Sequence, residues 1–221
     1  MNASCALSPI ADYAAQWPVS GDRLVLRLLE PGSSPQDVVL VPSPTVPDGP
    51  LVSCLMISRG RLLPARHAIE CFRCQTYRQR ELVIIDDNPA SELAEFLAVL
   101  DDPLIRHIIL PASQGCLGSL RNRALAESRG DMVCQWDDDD LFDARRIAWQ
   151  VEALQTSGAQ ACFLHRWTLW WPAEHRIAVS GERIWEGSML AQRAAVPAYP
   201  DQRRGEARTA WSLGRSLQTT A

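Results

Sequence analysis

The chain has 221 residues, a net charge of −4, and a composition that is 47% hydrophobic and 22% charged. These values are typical of a soluble globular protein and exclude a chain that is disordered throughout. All 22 basic residues are arginines, which excludes a lysine-containing phosphate loop, Schiff-base chemistry and a lysine general base. The acidic balance argues against a broad nucleic-acid-binding surface. No apolar run approaches the roughly 18 residues that span a bilayer.

Targeting and cysteine patterns both favour a cytoplasmic protein. The N-terminus carries Asp12 and no basic residue before Arg23, unlike a secretory signal peptide. The 7 cysteines are odd in number and scattered, which favours reduced thiols. Cys71 and Cys74 form a CxxC pair without a second pair at matching spacing, so a buried helix face is favoured over a zinc site.

Residues 1–49 differ from the rest in being rich in proline, serine and glycine. Two apolar stretches within them, Leu24–Leu29 and Val38–Val41, predict short strands. We interpret residues 1–49 as an N-terminal extension that ends in a Pro-rich linker.

After Pro50, short apolar runs alternate with amphipathic segments. The runs predict strands at 51–57, 81–85, 105–110 and 132–136. The segments between and after them predict helices at 64–76, 91–100, 118–128 and 144–155. This alternation predicts an α/β fold with a mostly parallel sheet. From Ala161 the pattern changes to extended segments at 161–171, 176–179 and 188–193, with an antiparallel pair around Pro172–His175.

Two acidic clusters follow predicted strands: Asp86-Asp87, and the four residues Asp137–Asp140. Because ligands bind outside the carboxyl ends of parallel strands, we expect both clusters to face one crevice. Neighbouring carboxylates repel one another unless a cation compensates, and Mg²⁺ or Mn²⁺ suits such oxygen ligands together with substrate phosphates. The alternative is a solvated acidic turn or helix N-terminus.

Five segments resemble, in order, the motifs of the family 2 glycosyltransferases with the GT-A fold. They are PLVSCLMISRGR (50–61), AIECFRCQTYRQRELVIIDDN (68–88), GSLRNRALAESRGDMVCQWDDDD (118–140), WEGSMLAQRAAVPAYPD (185–201) and RGEA (204–207). The resemblance covers about residues 50–206. It implies a Rossmann-like, mostly parallel sheet flanked by helices, with a small antiparallel acceptor-side part. It also implies a glycosyltransferase domain at 50–207 and a C-terminal tail at 208–221.

The resemblance implies a nucleotide-sugar donor, a divalent metal cofactor, and residues that bind each. The nucleotide-sugar-binding set is Asp86, Asp87, Arg121, Asn122, Arg123, Asp137 and Asp138. Asp137 and Asp139 form the D-x-D pair, and Asp139 is expected to bind Mn²⁺ or Mg²⁺ directly. For Arg123, the alternative is an ion pair on the helix surface.

The resemblance further implies an inverting displacement from a UDP-linked sugar, in which a base accepts the proton of the acceptor hydroxyl. The family's E-D motif reads Glu206-Ala207 here, so the candidate bases are Glu206 and Glu186, with Asp201 a further possibility. Trp185 adjoins Glu186 and is a candidate for stacking on an acceptor sugar; core packing is the alternative. A glycan, lipid or protein acceptor all remain open.

Two other functions remain open. A non-catalytic relative that binds a nucleotide sugar or a partner is suggested by Ala207 and by the short segment after Glu206. A nucleotidyltransferase would share a similar sheet and acidic metal site. Its Gly-rich, basic phosphate loop, however, is poorly matched by the segment Ser58-Arg59-Gly60-Arg61.

Overall fold

A computed structural model describes residues 19–20, 23–28, 36–40, 49–88, 92–111, 115–164, 166–171, 174–181 and 186–200. The chain divides into two compact units, Met1–Thr45 and Val46–Ala221. In the first unit, β1 (Val19–Ser20), β2 (Arg23–Leu28) and β3 (Gln36–Leu40) form an antiparallel sheet in that order. Both strands predicted in this region are confirmed.

The described part of the second unit alternates strands with helices, as predicted. Its elements are β4 (Val52–Ser58), α1 (Leu62–Arg73), β5 (Arg80–Asp86), α2 (Glu92–Leu100), β6 (Ile105–Ile109), α3 (Leu117–Glu127), β7 (Met132–Gln135), α4 (Arg146–Ser157), β8 (Ala161–Cys162), β9 (Thr168–Trp171), β10 (Arg176–Val179) and β11 (Leu190–Gln192). Short 3₁₀ helices span Glu186–Ser188 and Arg193–Ala195. The predicted boundaries differ by a few residues, mainly at helix ends.

A six-stranded sheet in the order β6-β5-β4-β7-β11-β8 forms the centre of this unit. Strands β6, β5, β4 and β7 run parallel, whereas β11 lies antiparallel between β7 and β8. The predicted mostly parallel sheet is therefore confirmed. The insertion of β11 between β7 and β8 was not predicted. The antiparallel pair around 172–175 is also confirmed, because β9 and β10 pair with each other.

The two central strands explain the continuous apolar runs in the sequence. Strands β4 and β5 are buried along nearly their whole length, as strands covered by helices on both faces must be. On one face, Leu55, Val83 and Ile85 pack in a cluster with Leu120 and Ala124 of α3. Each such buried aliphatic side chain stabilises the fold by roughly 1.5–3 kcal/mol.

The cysteines depart in part from expectation. Among the described residues the free thiols are Cys54, Cys71, Cys116, Cys134 and Cys162. Cys74, at the C-terminus of α1, is disulfide-bonded, so the expectation that all cysteines are reduced is wrong. Burial raises the pKa of the Cys71 thiol, which suits the predicted buried helix face. Within the described ranges, none of the helices combines the length and apolar character required to cross a bilayer.

Candidate functional site

The two acidic clusters meet at one edge of the sheet. Ser58 ends β4 beside Asp86 of β5 in the parallel ladder, and its carbonyl accepts a hydrogen bond of 3.0 Å from the backbone N–H of Asp87. The Ser58 hydroxyl donates to Asp138 Oδ2 at 2.8 Å. The predicted convergence of the two acidic clusters is confirmed. They meet because parallel strands end at the same edge of the sheet, although about 50 residues separate the clusters in the sequence.

The loop after β4 connects both clusters through arginines. Gly60 has a φ of 76°, a left-handed conformation that glycine adopts at little cost. Arg59 Nε lies 3.7 Å from Asp87 Oδ2. Arg61 Nη1 donates to Asp139 Oδ2 at 3.0 Å, and its Nη2 donates to Asp138 Oδ1. The sequence did not predict these ion pairs.

Asp86 and Asp87 differ in how they are held. The Asp86 carboxylate is fully buried, accepts the Asn88 backbone N–H at 3.1 Å, and lies 3.2 Å from His107 Nε2 on β6. Asp87 is nearly buried as well and faces the Arg59 guanidinium. Their roles toward a base and ribose stay predictions, and Asp87 is the one adjoining the arginine loop.

Asp137 lies between α3 and the end of β7. Its Oδ1 accepts a hydrogen bond of 2.7 Å from Gln135 Nε2 and lies 3.4 Å from Arg121 Nη2. Arg121 is buried, and its guanidinium carbon stands 5.6 Å from the centre of the Tyr199 ring. The buried Arg121 is therefore part of the acidic site, beside Asp137.

Asn122 and Arg123 are adjacent in α3 but make different contacts. The Asn122 side chain donates to the Tyr199 carbonyl at 2.8 Å and accepts from the Tyr199 N–H at 2.7 Å. Arg123 lies on the exposed helix surface, where its Nη2 pairs with Glu127 Oε1 at 2.7 Å. The surface ion pair was the alternative for Arg123. Asn122 holds the Tyr199 segment against α3, a contact that the sequence did not predict.

Burial, reinforced by neighbouring carboxylates, raises the pKa of two of the acids after β7. Burial raises the pKa of Asp138, although Ser58 and Arg61 oppose this shift. Burial, reinforced by repulsion from Asp137 and Asp139, raises the pKa of Asp140 to about 7. Asp140 does not cap the following helix, because α4 begins at Arg146 after an Arg145 N-cap.

The pKa of Arg61 is raised, whereas burial alone would lower the pKa of an arginine. Burial lowers its pKa, but attraction to Asp138 and hydrogen bonds to Asp138 and Asp139 outweigh that effect and leave the pKa raised. The guanidinium is therefore stabilised in its charged form by the acids it bridges.

Arg146 is a buried cation that joins three segments. Its side chain donates through Nε to Gln150 at 3.1 Å, and through Nη2 to the carbonyls of Gln135 at 2.9 Å and Gly187 at 3.2 Å. Its guanidinium carbon lies 4.1 Å from the centre of the Phe142 ring. The spacing of Arg146 and Gln150, four residues apart beside the apolar stripe of α4, was the available signal, and sequence reasoning missed it.

Of the residues expected on the acceptor side, the structure describes Glu186. Glu186 begins a 3₁₀ helix whose next residue, Gly187, packs against the acidic loop. A Cβ atom at Gly187 would lie 2.6 Å from Asp137 Oδ2 and 3.1 Å from the Trp167 ring. The structure thus brings the Glu186 segment to Asp137. Trp185, Asp201 and Glu206 lie outside the described residues.

The chemistry of a divalent cation fits the acids after β7. Within the described ranges, no three His, Cys, Asp or Glu side chains form a group able to hold a metal. Mg²⁺ commonly takes one or two carboxylates and completes its shell with substrate phosphates and water. Asp138 and Asp139 supply two adjacent carboxylates, and the Asp139 side chain is 52% exposed. These residues fit a cation that binds together with a phosphate ligand.

A family model matches the part of the chain that builds this site. The model of the family Glycosyl transferase family 2 matches residues 53–176, a range that contains both acidic clusters and the arginine loop. The chain belongs to this family.

Two curated relatives extend the comparison. WcaA of Escherichia coli K12, assigned as a colanic acid biosynthesis glycosyl transferase, is 26% identical over 155 residues, which cover 69% of this chain and 50% of WcaA. The succinoglycan biosynthesis protein ExoO of Rhizobium meliloti is 31% identical over 93 residues, covering 42% and 26%. The chain thus spans half or less of the length of these relatives.

Solved structures share the fold. TarS 1–349 of S. aureus superposes with a TM-score of 0.59 at 13% identity, covering 74% of this chain and 55% of the 1–349 chain. The mannosyltransferase PcManGT of Pyrobaculum calidifontis, solved with GDP-Man and Mn²⁺, gives 0.59 at 16% identity, covering 79% and 55%. Identities this low establish the fold alone, and the predicted GT-A fold is confirmed.

Proposed function

We propose that this protein transfers a sugar from a nucleotide-sugar donor, a UDP-linked sugar in our first choice, to an acceptor hydroxyl. One observation carries the proposal: the Asp86-Asp87 and Asp137–Asp140 clusters meet at the carboxyl edge of β4, β5 and β7, joined by the Ser58 hydroxyl and the loop arginines. Family membership supports it. So do two structural neighbours, one solved with GDP-Man and Mn²⁺ and the other with UDP-GlcNAc.

On the donor side, the Asp87 side chain accepts hydrogen bonds from the ribose or base, as carboxylates do. Arg121, buried beside Asp137, faces the diphosphate. Asp139, with Asp138 beside it, would hold Mn²⁺ or Mg²⁺. When bound, the metal ion supplies Lewis-acid neutralisation of the charge that develops on the departing diphosphate.

The proposed reaction needs no reactant besides the nucleotide-sugar donor and the acceptor hydroxyl. The acceptor oxygen forms a bond to the sugar C1 while the bond from C1 to the β-phosphate oxygen breaks, and the electron pair leaves with the nucleoside diphosphate. A single displacement of this kind inverts C1. The acceptor proton passes to a carboxylate base, for which Glu186 and Glu206 are the candidates. Trp185 would stack on a sugar of the glycan, lipid or protein acceptor.

Calorimetric titration tests the donor site. UDP, GDP and dTDP are each titrated with Mn²⁺ and with EDTA into wild type, Asp139→Ala and the matched control Asp143→Ala. Asp143 is a partly exposed acid of the same loop that pairs with Arg145. We expect metal-dependent binding of one nucleotide, weakened at least about tenfold by Asp139→Ala and retained in the control. Failure of every nucleotide to bind would contradict the donor site.

A non-catalytic binding module is the second candidate, and a specific observation favours it. Arg61 already bridges Asp138 and Asp139, so the acids are compensated without a metal, and Ala207 stands in place of the family's Asp. This candidate predicts nucleotide binding without donor hydrolysis or sugar transfer. Measurable release of nucleoside diphosphate that collapses in Glu206→Gln would favour the enzyme instead.

A further inference from the structure

We propose that Arg61 is a placeholder cation: its guanidinium occupies the position between Asp138 and Asp139 that a divalent cation takes, and it moves to the diphosphate when cation and nucleotide bind together. This inference rests on the proposed function and deepens it. It gives the loop after β4 a task that the family match does not assign to any residue.

The bridging geometry is the first support. The two terminal nitrogens of Arg61 contact different carboxylates: Nη1 lies 3.0 Å from Asp139 Oδ2, and Nη2 contacts Asp138 Oδ1. A guanidinium that bound one carboxylate would present both nitrogens to it in a fork. Here one positive group is shared by two acids, which is the arrangement a cation with two carboxylate ligands requires.

The two acids are held with unequal strength. The Asp138 side chain is only 5% exposed and also accepts the Ser58 hydroxyl. The Asp139 side chain is 52% exposed, and among the described residues its hydrogen-bonding partner is Arg61, which is itself 53% exposed. Exposed ion pairs contribute little stability. The Arg61–Asp139 pair is therefore the contact that opens, while Asp138 stays in place.

Neighbouring acids have cations of their own, so Arg61 is not needed elsewhere. Asp87 faces Arg59 at 3.7 Å, and Asp137 faces the buried Arg121 at 3.4 Å. A released Arg61 guanidinium remains anchored nearby, because its backbone caps α1 and its carbonyl accepts the Ala65 N–H at 3.1 Å. Phosphate oxygens are a favourable new partner for it.

These contacts predict positive coupling between metal and nucleotide. A cation that arrives alone must break the Arg61 contacts without compensation. A cation that arrives with a diphosphate gives Arg61 a replacement partner, so each ligand should tighten the other by the same factor.

Electron paramagnetic resonance of free Mn²⁺ tests the proposal. Mn²⁺ is titrated into wild type, Arg61→Gln and the control Arg66→Gln, each without nucleotide and with saturating UDP, or whichever nucleotide calorimetry selects. Arg66 is an exposed arginine on α1 that lies over Phe96 and controls for loss of one charge. We expect Arg61→Gln to bind Mn²⁺ alone about tenfold more tightly than wild type, and to lose about tenfold of the coupling. The control should behave like wild type.

Several outcomes would overturn the proposal. Mn²⁺ binding by Arg61→Gln that is no tighter than wild type, including no binding by either, contradicts the placeholder role. Unchanged coupling contradicts the move to the diphosphate. If Arg61→Gln loses its circular dichroism signal, Arg61→Lys keeps the test decisive, with an intermediate affinity expected from a single-point donor. If no variant binds nucleotide yet Mn²⁺ alone binds more tightly to Arg61→Gln, the placeholder role is supported and the donor site of the proposed function fails.

Discussion

Following the proposed function, we call residues 49–140 the donor-side region and residues 161–200 the acceptor-side region. The described residues of these two regions are held in place in different ways. In the donor-side region, the acids stand at the ends of buried parallel strands, and the neighbouring strand ends position them. The acceptor-side region contributes short antiparallel strands and a β9–β10 pair on which Ile177 and Val179 are exposed. The donor-side acids are thus positioned by strand ends, whereas the acceptor-side region joins the same sheet through β11 and β8, buries Met189 and Ala191 in the same core, and carries β9 and β10 as a separate two-stranded sheet.

Side-chain hydrogen bonds reinforce that attachment. Gln150 of α4 donates to the Ser188 carbonyl at 2.7 Å, and the Ser188 hydroxyl accepts the Leu164 N–H at 2.8 Å. Arg146 reaches both Gln135 and Gly187. Because Arg146 and Gln150 reach several buried carbonyls of this attachment, we expect it to be sensitive to the loss of either side chain.

Replacing Arg146 should give the largest effect. Arg146→Leu leaves the buried carbonyls of Gln135 and Gly187 without this donor, so we expect the free energy of unfolding to fall by roughly 3 kcal/mol. Urea denaturation measures it. Arg123→Leu, which removes an exposed ion pair with Glu127, is the control and should change stability by less than about 0.5 kcal/mol. Equal losses of stability in the two variants would contradict the special importance of the buried Arg146 contacts.

A methyl group at Gly187 should disturb the packing between the donor-side and acceptor-side regions. Its Cβ would lie 2.6 Å from Asp137 Oδ2, and Asp137 cannot retreat freely because Gln135 holds its other oxygen. We expect Gly187→Ala to cost about 2 kcal/mol and to weaken nucleotide binding. Gly181→Ala has nothing within 4 Å of the added Cβ and should behave as wild type. Thermal unfolding and calorimetry compare the pair, and wild-type behaviour of Gly187→Ala would contradict the close packing of Gly187 against Asp137.

Asn122 separates a structural role from a binding role. Asn122→Ala removes both hydrogen bonds to the Tyr199 backbone, so the free energy of unfolding should fall by about 1–2 kcal/mol. A variant that instead keeps its stability and loses nucleotide affinity would return Asn122 to the binding set. Urea unfolding and nucleotide titration on one sample distinguish the two.

The smallest effect is expected at Tyr77, in the donor-side region. Its hydroxyl donates to the Pro50 carbonyl at 2.7 Å, and burial raises its pKa to about 12. Tyr77→Phe should cost about 1 kcal/mol at pH 8. Because the folded pKa exceeds the usual value near 10, the wild-type advantage is complete below about pH 10 and is lost as pH rises through 12. Urea midpoints at pH 8 and 11 test this. An advantage that grows with pH would contradict the assignment.

Local patterns were enough to predict strands β4 to β7 and the helices between them. Strands buried on both faces require continuous apolar runs, and these runs stand out in any window of the sequence. The rule that parallel strands end at one edge then placed both acidic clusters together. The antiparallel position of β11 between β7 and β8 had no such signal, because three residues carry too little periodicity to specify a partner strand.

The sequence by itself determined the α/β order, the family and the two sets of acids at the strand ends. Only the tertiary structure decided which cation faces which acid: Arg61 reaches Asp138 across 77 positions, and Arg146 reaches Gly187 across 41. The tertiary structure also decided that Asn122 forms hydrogen bonds with the Tyr199 backbone. The physical reason is that local periodicity reports which face of an element is buried, whereas a charge or amide finds its partner only after the elements have packed and brought distant side chains within hydrogen-bonding distance.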